Sequence, residues 1–131
     1  MIRKPLDQIF ESTDDNGSFT VYGVVKYNVV VRAKEISNIS NRCAQNAQSY
    51  ESKQKMLRME MYADSFIRNT HGYVDSVKGA TNNFVDMQDS NSSKGVWGNL
   101  FEGIINQSLY QAHEQGMVED YNEMVTIFKS F

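Results

Sequence analysis

Two histidines, His71 and His113, are the residues best suited to proton transfer in this chain of 131 residues. An imidazole titrates near neutral pH and acts as a general acid or base when another side chain orients it. The two histidines are far apart in the sequence, and neither has an acid–base or metal-binding residue at a recognisable spacing. We therefore predict that the protein has no catalytic residue and is not an enzyme.

Motifs that bind metals or cofactors are absent from the sequence. It contains no G-x-G-x-x-G, no P-loop, no C-x-x-C, no H-E-x-x-H and no G-x-S-x-G. The acidic run that starts at Asp14 resembles an EF-hand calcium loop. If Gly17 occupies position six of such a loop, the position that needs a bidentate glutamate is occupied by Gly23. We expect no metal ion and no cofactor, and we interpret Asn16-Gly17 as a turn.

Cysteine usage and hydropathy point to an intracellular setting. Cys43 is the one cysteine, so an internal disulfide is excluded and a reducing compartment is favoured. The first residues lack the apolar core of a signal peptide, and no run of about 18 apolar residues predicts a transmembrane helix. We expect a cytoplasmic protein, or one carried within a virion.

Residues 19–33 show the clearest local pattern, an alternation of apolar and more polar positions. Phe19, Val21, Val25, Val29 and Ala33 belong to an apolar row that takes every second residue. This period of two is typical of a β-strand with one buried face. The pattern predicts one long strand, and a hairpin that turns at Lys26-Tyr27-Asn28 remains an alternative.

The predicted strand has no partner strand elsewhere in the sequence. Unpaired backbone groups of a strand are costly when buried and adhesive when exposed. We therefore expect the strand to pair between two chains, which makes the protein a homo-oligomer.

From about residue 36 the apolar residues follow a helical period. The interval between Ile36, Cys43, Tyr50 and Leu57 is seven residues, as in a coiled coil. This spacing predicts one long central helix over 36–88, with a possible break near Gly72 or Gly79 left open. Between Met56 and Tyr62 the apolar side chains point in several directions, so we predict burial on several sides, including that of Leu57.

The last third of the chain predicts a pair of helices. A polar loop over 89–95 precedes an apolar stripe that begins at Trp97 and includes Phe101. Gly116 fits a C-terminal cap, and a second amphipathic helix follows it. We predict an αα-hairpin over 95–131, with Phe101 buried like Phe66 of the central helix.

The predicted fold class is α+β and mostly helical. A short N-terminal helix over about 5–12 precedes one long strand over about 19–33, a long central helix and the C-terminal αα-hairpin. The chain is short enough for a single domain over 1–131, in which 1–35, 36–88 and 95–131 form successive segments.

Candidate binding residues come from the apolar strand row, the heptad positions and the acidic end. We expect the oligomer interface to include Val21, Val25, Tyr27, Val29, Cys43, Ala47, Tyr50 and Leu57. Residues 89–131 carry two basic and six acidic side chains. A basic partner would dock on Glu119, Asp120 and Glu123, where opposite charge speeds association.

The function that these patterns favour is homo-oligomeric assembly or a structural role without catalysis. A compact chain without catalytic motifs or targeting signals fits a bacteriophage or mobile-element protein. The alternative is a small acidic inhibitor or adaptor that binds a heterologous protein.

Nucleic acid and membranes are the less fitting partners. In outline the order of a strand and then helices resembles ribbon–helix–helix DNA-binding dimers, in which Lys26, Asn28 and Arg32 would face the DNA. The acidic balance of the chain argues against nucleic acid. The glycine-rich and aromatic stretch over 95–107 lacks the basic face that would hold it on a membrane.

Overall fold

The computed structural model describes residues 1–88 and 108–131, which form a bundle of helices. Within these ranges the helices are α1 (Arg3–Glu11), α2 (Val21–Lys26), α3 (Val29–Gln45), α4 (Tyr50–Gln88) and α5 (Ser108–Lys129). The described part of the chain contains no strand, and its one β-like feature is an isolated antiparallel bridge between Thr13 and Phe19. The predicted α+β class, with a long strand over 19–33, is therefore wrong.

A helix cap decides the local structure at the start of the supposed strand. The hydroxyl oxygen of Thr20 accepts a hydrogen bond from the backbone N–H of Gly23 at 3.0 Å, which begins α2. Gly23 lies against the backbone of Ser12, and a Cβ atom at this position would overlap the Ser12 carbonyl oxygen. Glycine is needed here because it has no side chain, and any Cβ atom would prevent α2 from coming this close to the end of α1.

The chain turns between α2 and α3 at Asn28. Its backbone is left-handed, with φ 49° and ψ 58°, a conformation that asparagine adopts more readily than most residues. The turn that the hairpin alternative placed at Lys26-Tyr27-Asn28 is thus present, but it joins two helices. Backbone groups that a lone strand would leave unpaired are paired within the helices instead.

The predicted long central helix over 36–88 is also divided. α3 ends at Gln45, and α4 begins at Tyr50 after a short connection. The hydroxyl of Ser49 accepts a hydrogen bond from the backbone N–H of Ser52 at 3.1 Å, as expected of a helix N-cap. The seven-residue interval therefore runs across a helix–helix turn and does not describe a continuous coiled coil.

Three glycines lie inside helices: Gly72 and Gly79, where a break of the central helix was left open, and Gly116, which was predicted to cap a helix. α4 continues through Gly72 and Gly79, and α5 continues through Gly116, so the cap predicted at Gly116 and the hairpin built on it are wrong. A Cβ on Gly72 would meet the imidazole of His113, and a Cβ on Gly116 would meet the amide of Asn69. These two glycines let α4 and α5 approach closely. Trp97 and Phe101, assigned to the first helix of that hairpin, lie outside the described residues.

α4 is the central helix, and both α3 and α5 pack against it in the antiparallel sense. Toward α3, Ser37 donates a hydrogen bond to Asp64 at 2.8 Å. Toward α5, Lys55 donates to the carbonyl of Ser130 at 2.8 Å, near the opposite end from the contact between Gly72 and His113. Lys55 therefore satisfies a backbone carbonyl at the C-terminal end of α5, where a positive charge is favourable.

The core lies between these three helices and α1. Its fully buried large side chains include Ile9, Val29, Ile36, Met59, Phe66, Tyr73, Met117 and Met124. Burial of Phe66 confirms its predicted position. Leu57 is 39% exposed, so its predicted burial is wrong, because it lies on the side of α4 that faces away from the core.

The N-terminal helix α1 packs against α3 and α5. α1, predicted over about 5–12, buries Leu6 and Ile9 and stacks Phe10 on Tyr121 of α5, with ring centroids 6.5 Å apart. Burial, and then the nearby negative charge of Asp7, raises the pKa of Tyr121 above its usual value of 10.0. α1 therefore links α5 to the rest of the bundle.

The loop after α1 inserts Phe19 between α4 and α5. Its ring packs edge-on against Phe66 at 5.4 Å. Its backbone N–H donates to Glu114 Oε1 at 2.9 Å, and its carbonyl accepts a hydrogen bond from the Tyr73 hydroxyl at 3.2 Å. Phe19 thus joins the N-terminal segment to both long helices.

Candidate interaction surface

The two histidines occupy different environments. His113 is partly buried where α5 crosses Gly72, and His71 is exposed on α4. Across residues 1–88 and 108–131, no group of three or more histidine, cysteine, aspartate or glutamate side chains is placed to hold a metal ion. The remaining candidates for a functional site in the described residues are exposed surfaces.

The eight residues predicted for an oligomer interface do not share one surface. Val29 is fully buried in the chain's own core, and Val21, Tyr27 and Cys43 pack partly against that core. Ala47 is partly buried in the turn between α3 and α4. Val25, Tyr50 and Leu57 are exposed, at 68%, 79% and 39%, on α2, at the start of α4 and on the outer side of α4.

The three acidic residues predicted for partner docking also differ in exposure. Glu119 is exposed and Glu123 is partly buried. Asp120 is only 8% exposed and accepts hydrogen bonds from Ser65 at 2.7 Å and from Asn69 at 2.9 Å. Asp120 therefore joins α5 to α4 and has little surface to offer a partner.

Replacement of Asp120 by alanine is expected to destabilise the fold by about 1–3 kcal/mol, because it leaves two polar groups of α4 without their acceptor. The measurement is urea unfolding followed by circular dichroism. Glu119→Ala, one residue away but exposed, is the matched control and should change stability by less than about 0.5 kcal/mol. Equal effects of the two changes would contradict the internal role of Asp120.

Neighbouring apolar side chains are exposed at two places on the helices, and Phe10, Val31, Tyr50, Phe128 and Phe131 are exposed elsewhere. The first is α2, where Tyr22 is 73% exposed and Val25 is 68% exposed. Lys26 lies over the rings of both Tyr22 and Tyr27, at 5.5 and 5.4 Å from their centroids. These residues form a small aromatic and cationic surface.

The second place is the outer side of α4, where Leu57 is 39% and Met61 is 53% exposed. They are four residues apart, so they lie one turn apart on one side of the helix. Arg58 follows Leu57 directly, and Arg68 lies about two helical turns beyond Met61; both arginines are exposed. Neither arginine forms an ion pair with a residue in the described ranges.

α5 continues this outer side with acidic residues. Met117 and Met124 mark the side of α5 that faces the core, and Asp120 marks the side that faces α4. At 3.6 residues per turn, Glu119 and Glu123 lie beyond Asp120, away from the core. We call the surface formed by Leu57, Arg58, Met61, Arg68, Glu119 and Glu123 the α4–α5 face.

The interface predicted from the sequence does not include Met61, Arg58 or Arg68. Met56 and Met59 are buried, with only 8% and 0% of their surface exposed, whereas Met61 lies on the other side of the same helix and is 53% exposed. The available signal was the register of the methionines, because Met61 does not share the face of Met56, Met59 and Ala63.

Comparisons with known proteins return no assignment: no family model matches the sequence, no curated protein matches it, and no solved structure matches the fold. Among the described helices, none combines the length and the apolar character that crossing a membrane requires.

Proposed function

We propose that this protein is a non-enzymatic assembly protein that works by pairing with a second copy of itself through the α4–α5 face. The observation that carries the proposal is the exposure of Leu57 and Met61 on the outer side of the central helix. The core is filled by other residues of α4, such as Met59 and Phe66, and 39% of Leu57 and 53% of Met61 stay uncovered in the single chain.

The composition of the α4–α5 face supports this function. Protein interfaces combine an apolar centre with a polar rim, and both methionine and arginine are enriched in them. Leu57 and Met61 supply the centre, while arginine and glutamate side chains surround it. Isolated apolar side chains on a surface are ordinary, and the combination with unpaired arginines sets this face apart.

The proposal predicts that Leu57→Ser with Met61→Ser abolishes self-association while the fold remains. Pairing stabilises the folded chain in proportion to the logarithm of protein concentration, so the wild-type melting temperature should rise with concentration. In the double variant the melting temperature should be lower and independent of concentration, as measured by circular dichroism over a dilution series.

The control is Val25→Ser, which removes an even more exposed apolar side chain, 68% exposed, from α2. It should leave the concentration dependence as in the wild type. A wild-type melting temperature that does not change with concentration would contradict the proposed function.

A second candidate function is that of an adaptor or inhibitor for a heterologous protein, favoured by the surface of Tyr22, Val25 and Lys26. A carboxylate flanked by apolar groups would match a lysine held between two tyrosine rings. A strand-mediated DNA-binding dimer is not supported, because α2 and α3 occupy the segment in which its strand was predicted. Arg32 instead contacts Gln8 and Glu35, and Asn28 forms a turn.

A further inference from the structure

We infer that Asn16 is a site of spontaneous modification, at which the side-chain amide is lost and the backbone becomes an isoaspartyl linkage to Gly17. The reaction consumes water and is carried out by the chain's own groups. Its product loosens the loop that holds Phe19 between α4 and α5. The inference is independent of pairing through the α4–α5 face.

The turn at Asn16 and Gly17 is exposed and uncrowded. Both residues are exposed, and a Cβ atom on Gly17 would find nothing within 4 Å. The backbone of Gly17 has φ 76°, in the left-handed region that favours glycine. Within the described residues no hydrogen bond holds the side-chain amide of Asn16. This side chain can therefore turn toward the backbone nitrogen that follows it.

This arrangement allows a ring to close between the side chain and the backbone. The nitrogen of Gly17, after its proton has passed to a base in the solvent, attacks the side-chain carbonyl carbon of Asn16. A C–N bond forms, the bond to the amide nitrogen breaks, and that nitrogen takes up a proton and leaves as ammonia. The product is a succinimide ring. Any residue but glycine would place a Cβ atom beside the attacking nitrogen and hinder its approach.

Water then opens the succinimide ring at one of its two carbonyl carbons. Addition at the side-chain carbonyl gives aspartate and leaves the backbone path unchanged. Addition at the main-chain carbonyl of residue 16 breaks its bond to the Gly17 nitrogen and leaves a carboxylate there. The chain then continues through the former side chain, so this isoaspartyl product has a longer backbone and a new negative charge.

The loop around Asn16 is closed by hydrogen bonds that a longer backbone disturbs. The backbone N–H of Asp14 donates to the carbonyl of Ser18 at 2.9 Å. Asp14 Oδ1 accepts hydrogen bonds from the backbone N–H groups of Asn16 and Ser18, at 2.9 and 3.0 Å. Thr13 and Phe19 then form the antiparallel bridge. An additional backbone atom within this loop displaces at least one of these contacts.

Phe19 transmits the disturbance to the core because it directly follows the loop. Its ring packs on Phe66, and its backbone N–H donates to Glu114, so a displaced loop weakens both contacts. The new carboxylate also lies beside Asp14 and Asp15, and like charges repel. We therefore expect the isoaspartyl chain to be less stable than the original chain.

One contact slows the reaction in the folded chain. The backbone N–H of Gly17 donates to the carbonyl of Asp14 at 3.0 Å, and it must leave this acceptor before the nitrogen can attack. The modification is therefore slower in the folded chain than in the denatured chain, where the turn is absent.

Asn46 is the matched comparison within the chain. It is exposed at the end of α3, and it precedes Ala47 where Asn16 precedes glycine. Its side-chain amide donates to the carbonyl of Arg42 at 3.0 Å. The Cβ atom of Ala47 and this hydrogen bond both disfavour ring closure, so Asn46 should react more slowly than Asn16.

The test ages the folded wild-type chain in mildly alkaline buffer, well below its melting transition, and follows both asparagines by mass spectrometry. Trypsin cuts after lysine and arginine, and it yields residues 4–26, with Asn16 as the one asparagine, and residues 43–53, with Asn46 as the one asparagine. Residues 4–26 should convert at least about tenfold faster, because glycine offers no Cβ atom to hinder the attack. Electron-transfer fragmentation distinguishes isoaspartate from aspartate.

Stability is measured on the same samples by circular dichroism at one protein concentration. The melting temperature of the converted wild type should fall by about 3–6 °C, the shift expected when a domain of this size loses about one hydrogen bond. The control is Asn16→Gln aged in parallel, because its longer side chain closes a ring far more slowly. It should keep the melting temperature of its fresh sample.

Conversion of residues 4–26 that is no faster than conversion of residues 43–53 overturns the modification site. A chain that carries isoaspartate at residue 16 and melts like the fresh wild type overturns the effect on Phe19. An equal loss of stability in aged Asn16→Gln overturns that effect too, because the damage then arises elsewhere in the chain.

Discussion

Phe66→Ala is expected to cost about 3–5 kcal/mol of folding free energy, because it removes a fully buried ring from the centre of the bundle. The ring packs against Phe19 at 5.4 Å, and its loss leaves a cavity that rigid helices cannot close. A domain of this size has a total stability of about 5–15 kcal/mol, so the effect is a large share of it. Urea unfolding followed by circular dichroism measures the change.

Phe131→Ala is the matched control for this prediction. Phe131 is 60% exposed, and its ring contacts the ammonium group of Lys55 at 5.1 Å. Its removal should cost less than about 1 kcal/mol, the value of an exposed cation–π contact. If Phe66→Ala and Phe131→Ala have the same effect, Phe66 is not in the core and the packing of α4 is wrong.

Phe19→Ala is the second substitution with a large expected effect, again about 3–5 kcal/mol. Phe19 is 3% exposed although it belongs to a loop, and it is the residue through which that loop contacts both α4 and α5. Chemical denaturation of the single variants and of Phe19→Ala with Phe66→Ala gives the coupling between the rings. Two rings in edge-on contact should couple by about 0.5–1.5 kcal/mol.

The backbone contact of Phe19 can be tested separately. Glu114→Ala removes the acceptor of the Phe19 N–H and should cost about 1–3 kcal/mol. Glu114→Gln keeps an oxygen that can accept the same hydrogen bond, so its stability should be closer to that of the wild type.

For the pair of rings, strictly additive effects of Phe19→Ala and Phe66→Ala would show that the two rings do not touch.

The mistaken strand has an identifiable cause in residues 19–33. Val24 and Val30 belong to the more polar row of the alternation, yet they are apolar, so ten of the fifteen residues are apolar and the segment fits a helical period as well. Val29, Ala33 and Ile36 then form a buried helical stripe. Two local signals favoured helices, namely the cap at Thr20 and the left-handed turn at Asn28.

The absence of a second strand was the stronger physical signal. A strand without a partner leaves its backbone groups unpaired, whereas a helix pairs them within the segment. An intermolecular strand follows only if the alternation outweighs the missing partner. The boundary at Asn46–Ser49 was missed for a similar reason, since seven-residue spacing continues by chance across the turn.

The candidate site was predicted in part. Glu119 and Glu123 were expected to face a partner, and Leu57 was expected in an oligomer interface. Met61 and Arg68 are not part of the predicted interface, because their position on the face depends on which side of α4 the other helices cover. A single helix with apolar residues in several directions does not reveal which of them remain outside.

The most direct test of self-pairing is sedimentation equilibrium on the wild-type chain from low micromolar to near-millimolar concentration. The single chain has a mass of 15.0 kDa. Pairing through the α4–α5 face predicts that the fitted mass rises with concentration to about twice that value and stops there, as a closed twofold contact requires. A mass that stays at that of one chain throughout the series would contradict it, and so would a mass that continues to rise beyond two chains.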